Sequence, residues 1–341
     1  MNTKNSFIDF LKGVAILLVL IGHCIQYGSG AIFLKEELYW ENIVMKIIYS
    51  LHMPLFIAVS GYLFWKSVKR HGLIKSIKSR IKKLMPVCFM WAVILSAIDL
   101  AKGEFVGIKS VFYHFLTDFW FLWAIILCVC CVAWIEYMKK IGGWKFACAI
   151  ILLGFIISPD TLWSHAYKYV APYFIAGYYY SKRENNWLES NKAGIVATIL
   201  WSILMRWYSK DSYIYTTGVT ILKKESVLKQ LVIDGYRYLV GAMGVIAIIW
   251  AIKKIYKMIS SHESLVGRFM KELIEYMGMN SIAFYILSTY LFVWILPAFT
   301  KDFTFNFIVT LLETVAVALL CDAVGRLIKC SKAVSKWLIA S

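Results

Sequence analysis

An all-α integral membrane protein is the fold class this sequence predicts, with about ten transmembrane helices in one bundle and both termini cytoplasmic. Three observations predict it. Apolar residues make up 60% of the 341 positions and charged residues only 17%, with a mean hydropathy of +0.67. Average soluble usage is about 45–50% apolar and about 25% charged, so a water-soluble fold of this size lacks the polar surface to cover itself. The apolar residues also gather into runs near the length needed to cross ~30 Å of hydrocarbon. Finally, the 37 Lys and Arg against 20 Asp and Glu are unevenly shared among the connecting segments.

The expected spans run roughly over 7–27, 43–65, 84–101, 119–137, 144–158, 163–181, 193–208, 235–252, 279–297 and 305–328. The fifth is short, and the third carries Asp99. With the N-terminus inside, the inner segments hold 25 of the 37 basic residues and the outer ones 12. The opposite orientation would invert this ratio against the positive-inside rule. The same rule accounts for the net charge of +17 without nucleic acid, since no basic domain lies outside the membrane segments. The first apolar run lacks a small-residue cleavage site and is expected to stay as a helix. Within 253–278, Leu265, Phe269, Leu273 and Tyr276 share a helix face, the pattern of an amphipathic helix on the inner surface. No connecting stretch is long enough for a second domain, so residues 1–341 are expected to form one membrane domain. The eight cysteines show no metal or redox spacing, and no metal site is expected.

Ionisable residues inside membrane spans are costly and point to function. Asp9 and Lys12 are three apart on the first span and able to pair. Lys12 and His23 are eleven apart, on one face and about 16 Å apart along the axis. His52, entering the second span from outside, lies at a depth similar to His23. Two imidazoles so placed suit general-base or nucleophilic work. Ser60-Gly61 reads either as a supporting hydroxyl or as a small-residue helix contact. Between Lys66 and Lys83 lie eight basic residues in eighteen, Arg80 and Lys83 among them. They suit either anionic headgroups or a bound polyphosphate. Glu313 and Asp322, nine apart on the last span, either line a polar cavity or pair with a cation. Trp120, Trp123 and Tyr178–Tyr180 fit interfacial belts, and His71, His114, His165 and His262 are expected to be solvated.

Taken together these fragments resemble the acyltransferase-3 family of multi-pass membrane acyltransferases, which includes bacterial polysaccharide O-acetyltransferases. The resemblance rests on Lys12 to His23, on Pro54-Leu-Phe-Ile-Ala-Val-Ser-Gly-Tyr62, and on Arg80-Ile-Lys-Lys83-Leu-Met-Pro86. Trp120-Phe-Leu, Pro172-Tyr-Phe-x2-Gly-Tyr and Gly278-Met-Asn-Ser281-x3-Tyr285 extend it along the chain. Lys12 stands where many members have Arg, and Ser288 where many have His. The resemblance implies a cell-membrane O-acyltransferase with no bound cofactor. It would take acyl-CoA, acetyl-CoA above all, as cytoplasmic donor and a glycan or lipid-linked sugar as acceptor. His23 and His52 would be catalytic, Lys12, Arg80 and Lys83 would hold the donor, and Asp9 and Ser60 would support. The alternative is a transporter or flippase of a glycan intermediate with the histidines as a proton relay.

Overall fold

A computed structural model describes residues 6–30, 37–104, 107–158, 163–183, 190–219, 226–261 and 264–340. Among these every regular element is helical and none is a strand. The longer helices are α1 (Ser6–Gly28), α3 (Ile43–His71), α4 (Leu73–Lys102), α6 (Trp120–Lys140), α8 (Ser164–Arg183), α11 (Val227–Ser261) and α15 (Phe307–Lys329). Shorter ones are α2 (Glu37–Glu41), α5 (Ile108–Thr117), α7 (Trp144–Ile157), α9 (Asn191–Leu204), α10 (Ile214–Thr217), α12 (Leu265–Met279), α13 (Ser281–Tyr290), α14 (Leu296–Thr300) and α16 (Lys332–Leu338). A π-helical stretch, Leu291–Ile295, joins α13 to α14.

Each of the ten expected segments is helical. Among the described residues six helices (α1, α3, α4, α6, α11, α15) are long and apolar enough to cross a membrane, and α12 with α13, bent by 76°, would make a seventh. The three short of that standard have visible reasons. Helices α7 and α9 have 14 residues each, about 21 Å of rise, and α8 carries His165, Lys168, Lys182 and Arg183 among its tyrosines.

The chain packs as two compact units. The first comprises Met1–Phe56, Asn185–Lys210 and Leu239–Cys330. Helix α1 is its centre, packed on α12, α13, α14 and α15. The crossing of α1 and α12 brings backbone against backbone: a Cβ on Gly13 would overlap Ile274 O, and one on Gly278 would overlap Asp9 O. Such contact is how membrane helices gain van der Waals energy where lipid offers no hydrophobic driving force. The expected amphipathic helix is α12, with Leu265 (85% exposed), Phe269 and Leu273 turned outward.

The second unit comprises Ile57–Glu184, Asp211–Tyr238 and Ser331–Ser341. Helices α6 and α8 run parallel in it. Their N-terminal ends meet through Trp120 and Trp163 (ring centroids 6.3 Å) and their C-terminal ends through Glu136 and Lys182 (2.6 Å). Helix α7, packed on α6, is the return between them. Gly61 of α3 and Gly177 of α8 press these two backbones together at Phe174 O and Ala58 O. Helix α16 is tied down by Trp91 Nε1, which donates to Leu338 O at 2.8 Å. The unit has unlike ends. One gathers Lys139, Lys140, Lys182 and Arg183; the other holds Trp120, Trp163 and the Asp99–His114–Asp118 cluster.

Candidate functional site

Lys12, His23 and His52 all belong to the first unit. Lys12 pairs with Asp9 at 2.9 Å, one helical turn away, as their spacing requires. Eleven residues further on, the His23 ring lies edge-on to Phe292 (5.1 Å) and Tyr27 (6.0 Å), which stack on each other. Phe292 sits in the π-helical stretch, a departure from α-geometry that recurs at functional sites. The His23 Nδ1 is enclosed and meets no hydrogen-bond partner among the described residues.

His52 is buried and held differently. Its Nδ1 lies 2.8 Å from Ile48 O. A carbonyl only accepts, so Nδ1 carries the proton and Nε2 is the lone-pair nitrogen of the neutral ring. The imidazole is thereby fixed as a proton acceptor. It lies near enough to His23 for the two rings to interact electrostatically. Tyr49, at 5.8 Å, forms part of its wall.

Glu313 is the residue whose weight the sequence understated. Both of its carboxylate oxygens are enclosed without a hydrogen-bond partner among the described residues. They lie against Gly28, where a Cβ would collide with the carboxylate, and within electrostatic reach of Cys24. Cys24 and Gly28 are one helical turn apart, so the Glu313 carboxylate of α15 faces that side of α1. The signal in the sequence was there: an acidic residue inside an apolar span. Asp322, its companion on the same face, is otherwise engaged. It accepts from Tyr276 Oη at 2.6 Å and pairs with Arg326 at 2.8 Å. Ser288 is buried and donates to Tyr285 O.

Arg80, Lys83 and Ser60 belong to the second unit. Lys83 lines a cavity of about 1240 Å³ together with Lys75, Lys78, Lys82, Lys140 and Lys336. Its volume exceeds the ~300–1,000 Å³ usual for small-molecule sites. Six ammonium groups and the aliphatic wall of Ile74 and Ile77 suit a large ligand that is anionic at one end. Arg80 is half-buried on the same helix and does not line it. Ser60 sits beside Gly61, at the point where α3 presses on α8.

Two expectations about solvated histidines are corrected. His114 is clasped between carboxylates, Nε2 to Asp99 and Nδ1 to Asp118, both at 2.7 Å. Burial works against its charged form, but the two carboxylates outweigh it and hold the imidazole above its usual value. The Asp118 carboxyl is raised by burial despite the imidazole beside it. His165 packs against Trp163 and Tyr215, each at 5.8 Å. His71 lines the lysine-rich cavity, and His262 lies outside the described residues. No group of three or more His, Cys, Asp or Glu side chains arranged to hold a metal occurs among the described residues.

The chain was compared with known proteins. Residues 5–325 match the family model described as "Acyltransferase domain". Among curated proteins, it is 26% identical over 243 residues to the nodulation protein NolL of Sinorhizobium fredii, covering 67% of this chain and 64% of that protein. It is 25% identical over 236 residues to the nodulation protein NolL of Mesorhizobium japonicum, covering 66% of this chain and 62% of that one. The chain thus spans a little under two thirds of the length of the curated relatives it matches. No solved structure matches. With a family match along nearly its whole length and several helices apolar enough to cross a bilayer, this chain belongs to the acyltransferase-3 family of multi-pass membrane acyltransferases.

Proposed function

We propose that this protein is an O-acyltransferase of the cell membrane, most simply an O-acetyltransferase, moving an acyl group other than an aminoacyl group from cytoplasmic acyl-CoA to a sugar hydroxyl of a cell-surface or lipid-linked glycan. The observation that carries the reading is the interior of the first unit, where His23, His52 and Glu313 bring two imidazoles and a carboxylate into apolar surroundings. In this reading an imidazole takes the proton of the attacking hydroxyl. The hydroxyl oxygen bonds to the thioester carbonyl carbon, the C–S bond breaks, and the CoA thiolate leaves with the proton from the imidazolium. In an acyl-enzyme route the imidazole nitrogen bonds to that carbon first and the thiolate leaves with the ring N–H proton; the sugar hydroxyl then attacks the acyl carbon, the C–N bond breaks, and the hydroxyl proton returns to the imidazole. Glu313 adds a carboxylate to the same interior, where it favours electrostatically the positive charge that forms on an imidazole.

The donor's phosphates are the natural ligands of the lysine-rich cavity, because clustered cations bind phosphate through charge-assisted hydrogen bonds. Lys83 is one of its walls, Arg80 and Lys12 add positive charge on what the loop charges make the cytoplasmic side, and Asp9 holds Lys12 in place. Ser60, next to a helix contact, keeps a supporting role. No bound cofactor enters this scheme; the acyl-CoA is a substrate.

The test compares cells carrying the wild-type protein with cells carrying His23→Ala. Acylated glycan in the first and none in the second, with glycan export equal in both, is the expected result. Loss of export together with acylation would favour transport of a glycan intermediate and overturn the transferase reading.

A further inference from the structure

We infer that the end of the second unit opposite its basic end carries a sugar-binding platform made of Trp120, Trp163 and Tyr215, with His165 at its edge. The inference rests on the reading of the acceptor as a glycan and adds where, within this unit, a pyranose ring is held.

Four observations carry it. The Trp120 and Trp163 indoles stack in an offset manner, 6.3 Å between centroids and 22° between planes. Tyr215 meets Trp163 edge-on at 5.8 Å and 87°, and the same tyrosine meets His165 at 5.8 Å and 84°. This makes a single cluster from three segments far apart in sequence. A belt residue needs only its own amphipathic ring at headgroup level; a stacked and cornered cluster is more than a belt demands.

The second observation is backbone strain. Trp163 has φ of +66°, in the left-handed region that a bulky L residue avoids. Such outliers cost about 1–3 kcal/mol and concentrate where function needs a side chain aimed against local preference. Here the strained residue is the central ring of the cluster.

Third, the platform is only partly covered. Tyr215 is 48% exposed, and both indoles are half-buried. Ring faces carry negative quadrupole density, and the C–H bonds on one face of a pyranose carry partial positive charge. A sugar ring therefore lies flat on an indole and leaves its hydroxyls at the rim.

Fourth, the cluster is held rigidly. Arg237, 2% exposed, donates to Asp211 O, Ser212 O, Gly218 O and Thr217 Oγ1, and pairs with Asp234 at 3.0 Å. These partners flank α10 on both sides, so Arg237 is a positioning residue that fixes the helix presenting Tyr215. Trp123 Nε1 likewise donates to Phe115 O at 2.6 Å, fastening the start of α6, where Trp120 lies. By the loop charges, this end faces the outside, where a surface glycan is found.

The test uses the full chain in lipid nanodiscs, avoiding maltoside detergents whose sugar headgroups would compete. Indole fluorescence is titrated with methyl α-D-glucopyranoside and with maltotriose. The expected result is saturable quenching, tighter for the trisaccharide. Trp163→Leu and Tyr215→Leu should each weaken it by roughly tenfold, the scale of one lost stacking face, while Trp163→Phe keeps part of it. Tyr215→Leu, at an exposed position, guards against a folding failure at Trp163. Absence of saturable quenching, or unchanged quenching in both Leu variants, overturns the platform. Quenching in a protein that acylates no glycan leaves the platform standing and overturns the transferase reading instead, so the two failures are distinguishable.

Discussion

Arg237 and Glu313 are both charged side chains drawn into a membrane protein's interior, and the protein treats them in opposite ways. In the second unit the Arg237 guanidinium directs donors from Nε and both terminal nitrogens into three carbonyls, a hydroxyl and the Asp234 carboxylate. Asp234 in turn accepts from Gln230 at 3.0 Å. In the first unit the Glu313 oxygens and the His23 Nδ1 have no such partners among the described residues. Buried polar groups are nearly always paired, and a well-satisfied network fixes one geometry. An unsatisfied one costs stability and persists where a substrate or a moving proton makes use of it. In the proposed reading the difference separates a clasp from a reaction centre, although both read as the same rare event in sequence: an ionisable group in or beside an apolar span.

The sharpest way to break this comparison is at His23. His23→Ala is expected to lower acyl transfer by about 10²–10⁴-fold, the usual scale for a lost general base, with normal yield of membrane-inserted protein. His52→Ala should follow it, and the double variant should be little worse than either single, as groups acting as one unit behave. Full activity in a well-expressed His23→Gln protein would remove the catalytic assignment.

Arg237→Ala should show the reverse pattern. Removing the guanidinium leaves the buried Asp234 carboxylate without its cation, at a cost of about 3–5 kcal/mol. The expected outcome is poor yield and early melting in a fluorescence thermal scan, with Arg237→Lys a weak rescue because a lysine cannot replace the guanidinium fork. Stable Arg237→Ala protein would show that the clasp is dispensable.

Glu313 sharpens the contrast from the other side. Because its carboxylate meets no hydrogen-bond partner among the described residues, Glu313→Gln is expected to retain or raise thermal stability while lowering turnover. Gly28→Ala should lower turnover too, by displacing the carboxylate. A Glu313→Gln variant that loses both stability and activity would make Glu313 a structural residue like Arg237.

Smaller effects belong to the lysine-rich cavity. Lys83→Ala and Arg80→Ala should each raise the apparent KM for acyl-CoA roughly tenfold or more, a charge-assisted hydrogen bond being worth about 1.5–3 kcal/mol, with kcat little changed. Since Lys83 lines the cavity and Arg80 does not, Lys83 is expected to show the larger effect. Normal CoA binding by both variants would reduce the cluster to a lipid-facing topology signal.

The smallest effect concerns the His114 clasp. A group whose pKa is higher in the folded than in the unfolded protein stabilises below its unfolded value and loses that contribution as pH rises through the folded one. The stability difference between wild type and His114→Asn should therefore be full below pH ~6.5 and shrink as pH rises above it. A difference that grows with pH would contradict the arrangement with Asp99 and Asp118.

Composition together with the length of the apolar runs determined that the chain is helical and membrane-borne, because an excess of apolar residues leaves no soluble alternative and runs of about 20 residues suit helices, which satisfy their own backbone within lipid. Every expected span is helical for that reason. Local spacing also determined the Asp9–Lys12 pair, since three residues on a helix always face one way. What sequence reading could not reach was which charges meet partners across the fold. Glu313 and Asp322 looked equivalent on one face of α15, yet Asp322 meets Tyr276 and Arg326 while Glu313 lies against Gly28. His114 looked solvated because Asp99, fifteen residues before it, becomes a neighbour only when α5 folds back on α4, while Asp118 lies one helical turn further along α5. The Trp120–Trp163–Tyr215 cluster and the lysine-rich cavity likewise draw residues from distant segments. Hydropathy and periodicity report what one helix does; pairing between helices depends on tertiary packing, and packing decides which charged group becomes a clasp and which keeps its chemistry open.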